Sequence, residues 1–358
     1  MKTNKLFGLT FIVGIMLAGA VALSFTACNK GGSSSGSSAR SGNMTWIPVA
    51  DSTFGVASIL GIAYGSADEA GSNFVAVGEG GTIAYSSDGA NWTAVENNPF
   101  FDWSYYYLGF TINAITFGKN NFVAAGYGML GYSTDGVTWG EDRSGTFRDS
   151  LIRGIAWGND RFVAVGECDL SPLTLYSSDN GATWTIVTNN SLIGANKISS
   201  IAFGNGKFVA GGLRVGSNDN HGIAYSTDGA TWTTASDSIY ETFLAIAFGN
   251  GIFVAGGNRY AIAERKSYNG IVYSTDGVSW TAASDTTFVD DNILAIAYGG
   301  GRFIAGGSHG KMAYSTDGKS WTAITDTTFG ESGIRSIAYG NNRFVAVGQN
   351  GNMAYADW

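Results

Sequence analysis

The chain has little cysteine, proline, histidine or charge. Its two Cys residues, in 358, cannot build a disulfide framework or a Cys-rich zinc site. Charged residues make up 13% of the chain, about half the usual share. The formal net charge of −8 argues against a nucleic-acid partner, because binding a phosphate backbone needs basic surface. We therefore expect no nucleic acid, no metal and no cofactor.

Glycine and aromatic residues are abundant instead. There are 53 Gly against three Pro, aromatics reach 13%, and the apolar share is an ordinary 44%. This apolar share excludes a disordered chain and a bundle of membrane helices. A Gly-rich, aromatic-rich and Pro-poor composition favours many short strands joined by tight turns.

The N-terminus has the pattern of an export signal. Lys2 and Lys5 precede an uncharged apolar stretch that ends in Phe25-Thr26-Ala27-Cys28. This segment resembles the lipobox of bacterial lipoproteins, although Phe25 departs from the usual aliphatic residue. The resemblance implies a signal peptide over residues 1–27 and a lipid on Cys28. An ordinary signal peptide or an uncleaved anchor helix is the alternative.

Residues 28–43 follow as a Gly/Ser-rich flexible tether. Asn29 is not the Asp that resembles an inner-membrane retention signal, so we expect an anchor in the outer membrane. The membrane would then be contacted through the lipid only.

One unit repeats through residues 44–358. A segment close to F-V-A-V-G occurs seven times, each time after a segment close to I-A-aromatic-G, with a period of about 45 residues. Each unit holds four short apolar runs separated by Gly, Asn and Asp, which is typical of a four-stranded propeller blade. The repeat therefore predicts an all-β fold, a seven-bladed β-propeller.

The turn after the third run carries a known motif. Residues 177–184 read S-S-D-N-G-A-T-W, which matches the Asp-box (BNR) repeat, and five further copies are one residue shorter. The resemblance implies a turn between the third and fourth strands. We assign a structural role to the repeated Asp residues, since an Asp in a turn accepts bonds from backbone N–H groups just ahead. These residues are Asp88, Asp135, Asp179, Asp228, Asp276 and Asp317.

A residue that is present in every blade has a structural role, so functional residues are expected where one repeat departs from the others. The first departure is the segment from 100 to 110, which is crowded with aromatic residues: Phe100, Phe101, Trp103, Tyr105, Tyr106, Tyr107 and Phe110. Exposed rings there could stack on sugars or anchor a protein. Rings packed on one another as a cap are the alternative.

The second departure is a longer link between the second and third strands in three consecutive blades. Loops on a rigid scaffold are where binding residues concentrate, although a plain solvated loop is the alternative for each residue. The candidates are Glu167 and Asp169, then Arg214 and His221, then Arg259, Tyr260 and Arg265. Cys168, in the first of these links, is expected to be a free thiol.

The third departure lies two residues before the Ile of each first strand. Arg153 and Arg335 occupy this position, where the other blades have apolar or small polar residues. Both could face one bound anion near the mouth of the channel. Pairing with local carboxylates such as Asp149 or Glu331 is the alternative.

Three functions stay open. Proteins with Asp-box repeats include sialidases, xyloglucanase-type hydrolases, receptors and a photosystem assembly factor. The chain lacks the R-I-P motif of sialidases, and a glycosidase needs two opposed carboxylates, which no sequence pattern pairs here. We favour a non-enzymatic, monomeric lipoprotein that binds a glycan or a protein, with an assembly factor or a glycoside hydrolase as alternatives. Fold analogy alone does not decide among them.

The ends of the chain predict how the ring closes. The seventh unit stops at its third strand, and residues 46–54 match the segment that comes after the box in other units. Residues 44–50 are therefore predicted to be the outermost strand of the last blade. Pro48 suits an outer strand, which has an open side.

Overall fold

The computed structural model describes residues 17–18, 44–67, 71–100, 111–141, 150–169, 171–187, 195–214, 222–235, 242–261, 266–326 and 328–357. Within these ranges the chain is all-β, its strands pair antiparallel, and there is no α-helix. Two short 3-10 turns lie at Glu79–Gly81 and Gln349–Gly351. The predicted all-β class is confirmed.

Six repeats form four consecutive strands each, and the seventh forms three. The first strands are Ile59–Ala67, Ile112–Gly118, Ser150–Gly158, Ala195–Gly204, Thr242–Gly249, Ile293–Gly299 and Ile334–Gly340. The second strands are Gly71–Gly78, Asn121–Gly126, Arg161–Cys168, Lys207–Arg214, Ile252–Ala261, Arg302–Gly307 and Arg343–Gly348. The third strands are Ile83–Ser86, Leu130–Ser133, Ser171–Ser177, Ile223–Ser226, Lys266–Ser274, Met312–Ser315 and Met353–Asp357. The short fourth strands are Thr93–Ala94, Gly140–Glu141, Thr185–Ile186, Thr233–Thr234, Thr281–Ala282 and Thr322–Ile324.

Two more short strands pair across long distances in sequence. Ile47–Pro48 lies antiparallel to Met353–Asp357 and takes the fourth position in that sheet. Leu17–Ala18 pairs with Ala195–Gly204. Among the described residues, five sheets have four strands each. A sixth has nine, because the pairing of Leu213 with Thr242 joins two neighbouring sets of four and Leu17–Ala18 adds one more strand.

The I-A-aromatic-G segment explains how neighbouring sheets stack. Phe203 packs across its hairpin on Phe208 with ring centroids 4.7 Å apart. The same ring also fills the space above Gly158 of the preceding sheet, where an added Cβ would lie 2.1 Å from its Cγ. The next sheet repeats this contact between Phe248 and Gly204. The aromatic ring of one sheet therefore occupies a gap that only Gly leaves in the sheet before it.

The sheets are covered on both faces. The middle of each second strand is buried at every position, for example over Phe74–Val77 and Phe208–Gly211. This agrees with the near-continuous apolar runs in the sequence, since a sheet with one solvated face would alternate. First strands of successive repeats also contact one another in chain order. The arrangement is that of a β-propeller.

The repeated Asp residues fix the turn between third and fourth strands. Oδ1 of Asp228 accepts bonds from the backbone N–H groups of Ala230 at 2.9 Å and Thr231 at 2.7 Å. The indole of Trp232 donates to the Gly229 carbonyl, which locks the other side of the turn. The carboxylates of Asp88, Asp135, Asp179, Asp276 and Asp317 make the corresponding backbone contacts.

Candidate functional site

Each first strand contains a β-bulge at the same place. The register of pairing shifts by one residue there, and the extra residues are Leu60, Asn113, Arg153, Ser199, Leu244, Leu294 and Arg335. Each of them is half-exposed between two buried neighbours. A bulge leaves one residue outside the ladder and re-aims its side chain, and bulges are common beside binding sites.

We call these seven residues the bulge ring. Each lies near the start of its first strand, and the first strands of successive repeats contact one another. Because the second strand runs antiparallel, the start of the first strand lies beside the end of the second, and the bulge ring is on that face of the molecule. Sequence reasoning located all seven positions from their spacing to the following Ile. It missed the bulge, because an inserted residue that recurs in every repeat looks like part of the repeat.

Arg153 is neutralised locally. Its Nη2 lies 2.6 Å from Oε1 of Glu167, and Nζ of Lys197 lies 3.2 Å from the other oxygen of that carboxylate. Burial raises the pKa of Glu167, but hydrogen bonds and charge from Arg153 and Lys197 outweigh it, so the pKa lies below its usual range. The local-pairing alternative therefore holds for Arg153, with Glu167 as its partner. Asp149 lies outside the described residues.

Arg335 has a different environment. Within the described part of the chain it has no salt bridge, and its Nε is buried with no hydrogen-bond partner. Burial lowers the pKa of this guanidinium, and the charge of Glu79 partly opposes that effect. Glu79 itself is engaged, since its Oε2 accepts a bond of 2.8 Å from the Ser58 N–H. The expected pairing of Arg335 with Glu331 is not observed.

The ring is chemically two-sided. In chain order, Arg335 is flanked by Leu294 on one side and, across the ends of the chain, by Leu60 on the other. Leu244 extends this apolar arc, whereas Asn113, Arg153 and Ser199 form a polar arc opposite. The site thus combines three leucines, a group of polar side chains and one guanidinium that has no ion pair within the described part of the chain.

Phe100 is part of the fold. Its side chain is 1% exposed, and its ring meets Trp139 edge-on at 6.2 Å. It therefore presents no face to a ligand, contrary to the expectation for this residue. Phe100 lies eight residues after Trp92, as the buried Phe288 lies after Trp280, so the repeat itself carried the signal. Phe101, Trp103, Tyr105, Tyr106, Tyr107 and Phe110 lie outside the described residues.

The long links are described only in part. Asp169 is exposed in a left-handed turn with φ of 49°, and the thiol of Cys168 is free and half-buried. The backbones of Arg214, Arg259 and Tyr260 continue their strands, while their side chains lie outside the described part. Cys28, His221 and Arg265 lie outside the described residues as well. The described residues contain no cluster of three or more His, Cys, Asp or Glu with metal-binding geometry.

Sequence reasoning missed a buried carboxylate on the same face. Asp291 is 1% exposed, and its Oδ1 accepts a bond of 2.9 Å from the Ser308 N–H and lies 3.0 Å from Nδ1 of His309. The Ser308 hydroxyl also bonds to Oδ1, and the His309 N–H donates to Oδ2 at 3.2 Å. Only the neighbouring D-D dipeptide at 290–291 could have signalled it, without telling which Asp is buried.

Comparison with solved structures shows the β-propeller fold. A structure described as YCF48 bound to D1 peptide is 15% identical, covers 89% of this chain and 96% of its own, and superposes with a TM-score of 0.63. A catalytically inactive virginiamycin B lyase from Staphylococcus aureus with quinupristin is 13% identical, covers 88% and 99%, and has a TM-score of 0.64. A streptogramin B lyase structure is 11% identical, covers 87% and 97%, and has a TM-score of 0.61. At these identities the likeness establishes the fold alone.

Sequence comparisons add no family. No protein-family model matches the chain, and no curated protein sequence matches it either. In the described part of the chain, no helix is long and apolar enough to cross a membrane.

Proposed function

We propose that the protein is a non-enzymatic binding scaffold whose propeller recognises a protein partner on the face that carries the bulge ring. The observation that supports this most directly is the ring itself, which presents seven half-exposed side chains on a rigid support. A glycan is the second ligand class, because the aromatic residues at 101–110 would suit sugar stacking.

A protein ligand is favoured by a structural neighbour. The YCF48 propeller is described as bound to a peptide, so this fold accommodates one. An assembly factor for an envelope complex is a narrower form of the same proposal. A glycoside hydrolase is less well supported, since Glu167 is held by Arg153 and Lys197 and is thus a poor acid or base.

We further propose a ring of seven Asp-box blades closed by the N-terminal strand. Tyr64 of the first repeat packs over Gly340 of the last, as each other aromatic packs over the Gly before it. Arg343 Nη1 donates to the Asp88 carbonyl at 2.5 Å, which repeats the bond from Arg161 to Asp228. Strand Ile47–Pro48 beside Met353–Asp357 supports closure by the terminus.

The anchor and the location belong to the same proposal. The lipobox-like segment supports a lipid on Cys28, residues 28–43 as a tether, and a monomer held at the outer membrane. Cys28→Ser should release the protein from membranes or leave an uncleaved precursor in cell fractionation. A variant that fractionates and migrates like the parent would remove Cys28 as the lipid site.

Binding is tested with the full chain in detergent. We would probe it against a peptide array, a glycan array and a panel of chromogenic glycosides in parallel. Saturable binding to peptides without hydrolysis supports the proposal. Turnover of a glycoside, abolished by Glu167→Gln, would replace it with the hydrolase alternative.

A further inference from the structure

The charge state of the bulge ring points to a ligand with one negative charge. Arg153 and Lys197 both form ion pairs with the carboxylate of Glu167, so their positive charges are largely offset within the protein. Arg335 is the ring residue whose guanidinium has no ion pair among the described residues. A guanidinium binds a carboxylate through two parallel hydrogen bonds, and a half-buried position strengthens such bonds.

A polyanion fits this ring poorly. The chain carries a net charge of −8, and the carboxylate of Glu79 lies close enough to act on the charge of Arg335. A ligand with several negative charges would meet this field without further cations to offset it. A single carboxylate needs only one guanidinium.

The neighbours of Arg335 add the second part of the ligand. Leu60 and Leu294 flank it in the ring, and Leu244 lies next along the arc. All three are half-exposed, so a ligand that covers them removes apolar surface from water. The polar arc opposite, with Asn113 and Ser199, offers groups that can bond to amide N–H and C=O.

We infer that the bulge ring binds the carboxyl-terminal end of a peptide with apolar last residues, its α-carboxylate on Arg335 and its side chains on the leucine arc. This inference rests on the proposed peptide-binding function and specifies its ligand. A peptide uses both arcs of the ring, because its main-chain N–H and C=O groups can bond to the polar arc while its apolar side chains cover the leucine arc. A fatty acid would carry the same carboxylate but leave the polar arc without partners.

The test compares two forms of one probe. The full chain in detergent is titrated into an N-terminally dye-labelled hexapeptide that ends in Leu-Leu, either as the free acid or as the C-terminal amide, and anisotropy is recorded. We expect the amide to bind about tenfold more weakly, which is a common scale for one charge-assisted pair. Arg335→Gln should lose the same factor for the free acid and bind both forms alike.

Two variants serve as controls of position and charge. Arg153→Gln removes the equivalent charge across the ring, where Glu167 already holds it, and should leave the ratio of acid to amide affinity unchanged. Glu79→Gln keeps an acceptor for the Ser58 N–H but removes the nearby negative charge, so affinity for the acid should rise a few-fold. Leu294→Asn should weaken both forms together.

Each outcome decides something. Equal binding of acid and amide by the parent protein overturns this inference while leaving a peptide-binding function in place. Saturable binding of decanoate by a protein that does not bind the hexapeptide makes a lipid the ligand and also overturns it. If neither this probe nor any peptide of the array binds, the proposed function itself fails. The comparison of acid with amide on the parent needs no variant, so a poorly folded Arg335→Gln protein does not block the test.

Discussion

A carboxylate that orders a turn through backbone N–H bonds does so only while it is ionised. Partial burial raises the pKa of Asp228, but the N–H groups of Thr231 and Ala230 and the Ser226 hydroxyl outweigh it and lower the pKa to about 2. A lowered folded pKa means that the stabilisation is present above the ordinary Asp pKa and is lost as the pH falls towards 2. The Asp-box turns should therefore loosen in acid.

Asp228→Asn tests this at one turn. We expect the variant to be about 1 kcal/mol less stable at pH 7, as for the loss of a capping side chain. The difference should shrink as the pH is lowered from 4 to 2, because the parent then protonates. Denaturant midpoints at pH 7, 4 and 3 provide the measurement. Asp160→Asn, in an exposed hairpin turn, is the control and should show no such convergence.

At this scale the sequence predicted the repeated residues better than the exceptional ones. The structural role of Asp228 follows from its turn chemistry, which is local. Phe100 was misassigned because a crowd of aromatic residues hid its place in the repeat. The pairing of Arg153 could not be predicted, since it depends on Glu167 and Lys197 of other strands; nor could the lack of an ion pair at Arg335 among the described residues.

One pair of loops is joined by a buried carboxylate in addition to the backbone bond from the Ser308 N–H to the Asn292 carbonyl. Asp291, just before strand Ile293–Gly299, bonds to the turn that follows Arg302–Gly307 through Ser308 and His309. In two corresponding turns the acceptor belongs to the other loop, since the Gly333 N–H donates to Oε1 of Gln349 and the Ser58 N–H donates to Oε2 of Glu79. The same two loops are thus joined in each case by a different side chain, which no local pattern could predict.

Asp291→Ala should be strongly destabilising for this reason. It removes the buried carboxylate that accepts from the His309 N–H and the Ser308 hydroxyl, while the Ser308 N–H keeps its bond of 2.9 Å to the Asn292 carbonyl. We expect a loss of about 2–3 kcal/mol in the free energy of unfolding. Asp290→Ala is the matched control, because the adjacent Asp290 is exposed and pairs with Lys311 at the surface. Urea denaturation of both variants should give a clearly smaller loss for Asp290. Equal losses would contradict the role of Asp291 in joining the two loops.

For the whole molecule, the N-terminal segment and the last repeat depend on each other. The side chain of Trp46 is 3% exposed, and the backbone N–H of this residue donates to Oδ2 of Asp326 at 3.1 Å. Trp46→Ala should lower the free energy of unfolding by roughly 3–5 kcal/mol, as for other buried large-to-small changes.

Deleting residues 44–52 should expose the edge of Met353–Asp357 and cause aggregation, which light scattering detects. Deleting 30–42 should leave the melting temperature unchanged, and a 44–52 deletion that melts like the parent would refute the closure.

Ring closure can also be tested at two glycines that end first strands. Gly299 and Gly340 each lie under a tyrosine, since an added Cβ would be 2.1 Å from Cγ of Tyr339 in one case and 2.2 Å from Cγ of Tyr64 in the other. Tyr339 and Gly299 belong to consecutive repeats, whereas Tyr64 and Gly340 belong to the first and the last. If the ring is closed in solution, Gly299→Ala and Gly340→Ala should each cost about 1–3 kcal/mol by overpacking.

If the first and last repeats are not in contact, Gly340→Ala should raise the free energy of unfolding instead of lowering it. Gly340 has an ordinary backbone conformation, so without Tyr64 above it, Ala would stabilise the chain by about 0.4–1 kcal/mol through the unfolded state. Tyr64→Ala in the same protein should remove most of the cost of Gly340→Ala, because the two changes share one contact. Additive losses in that double-mutant cycle, measured by urea denaturation, would mean that Tyr64 and Gly340 do not meet, and the closed ring would have to be abandoned.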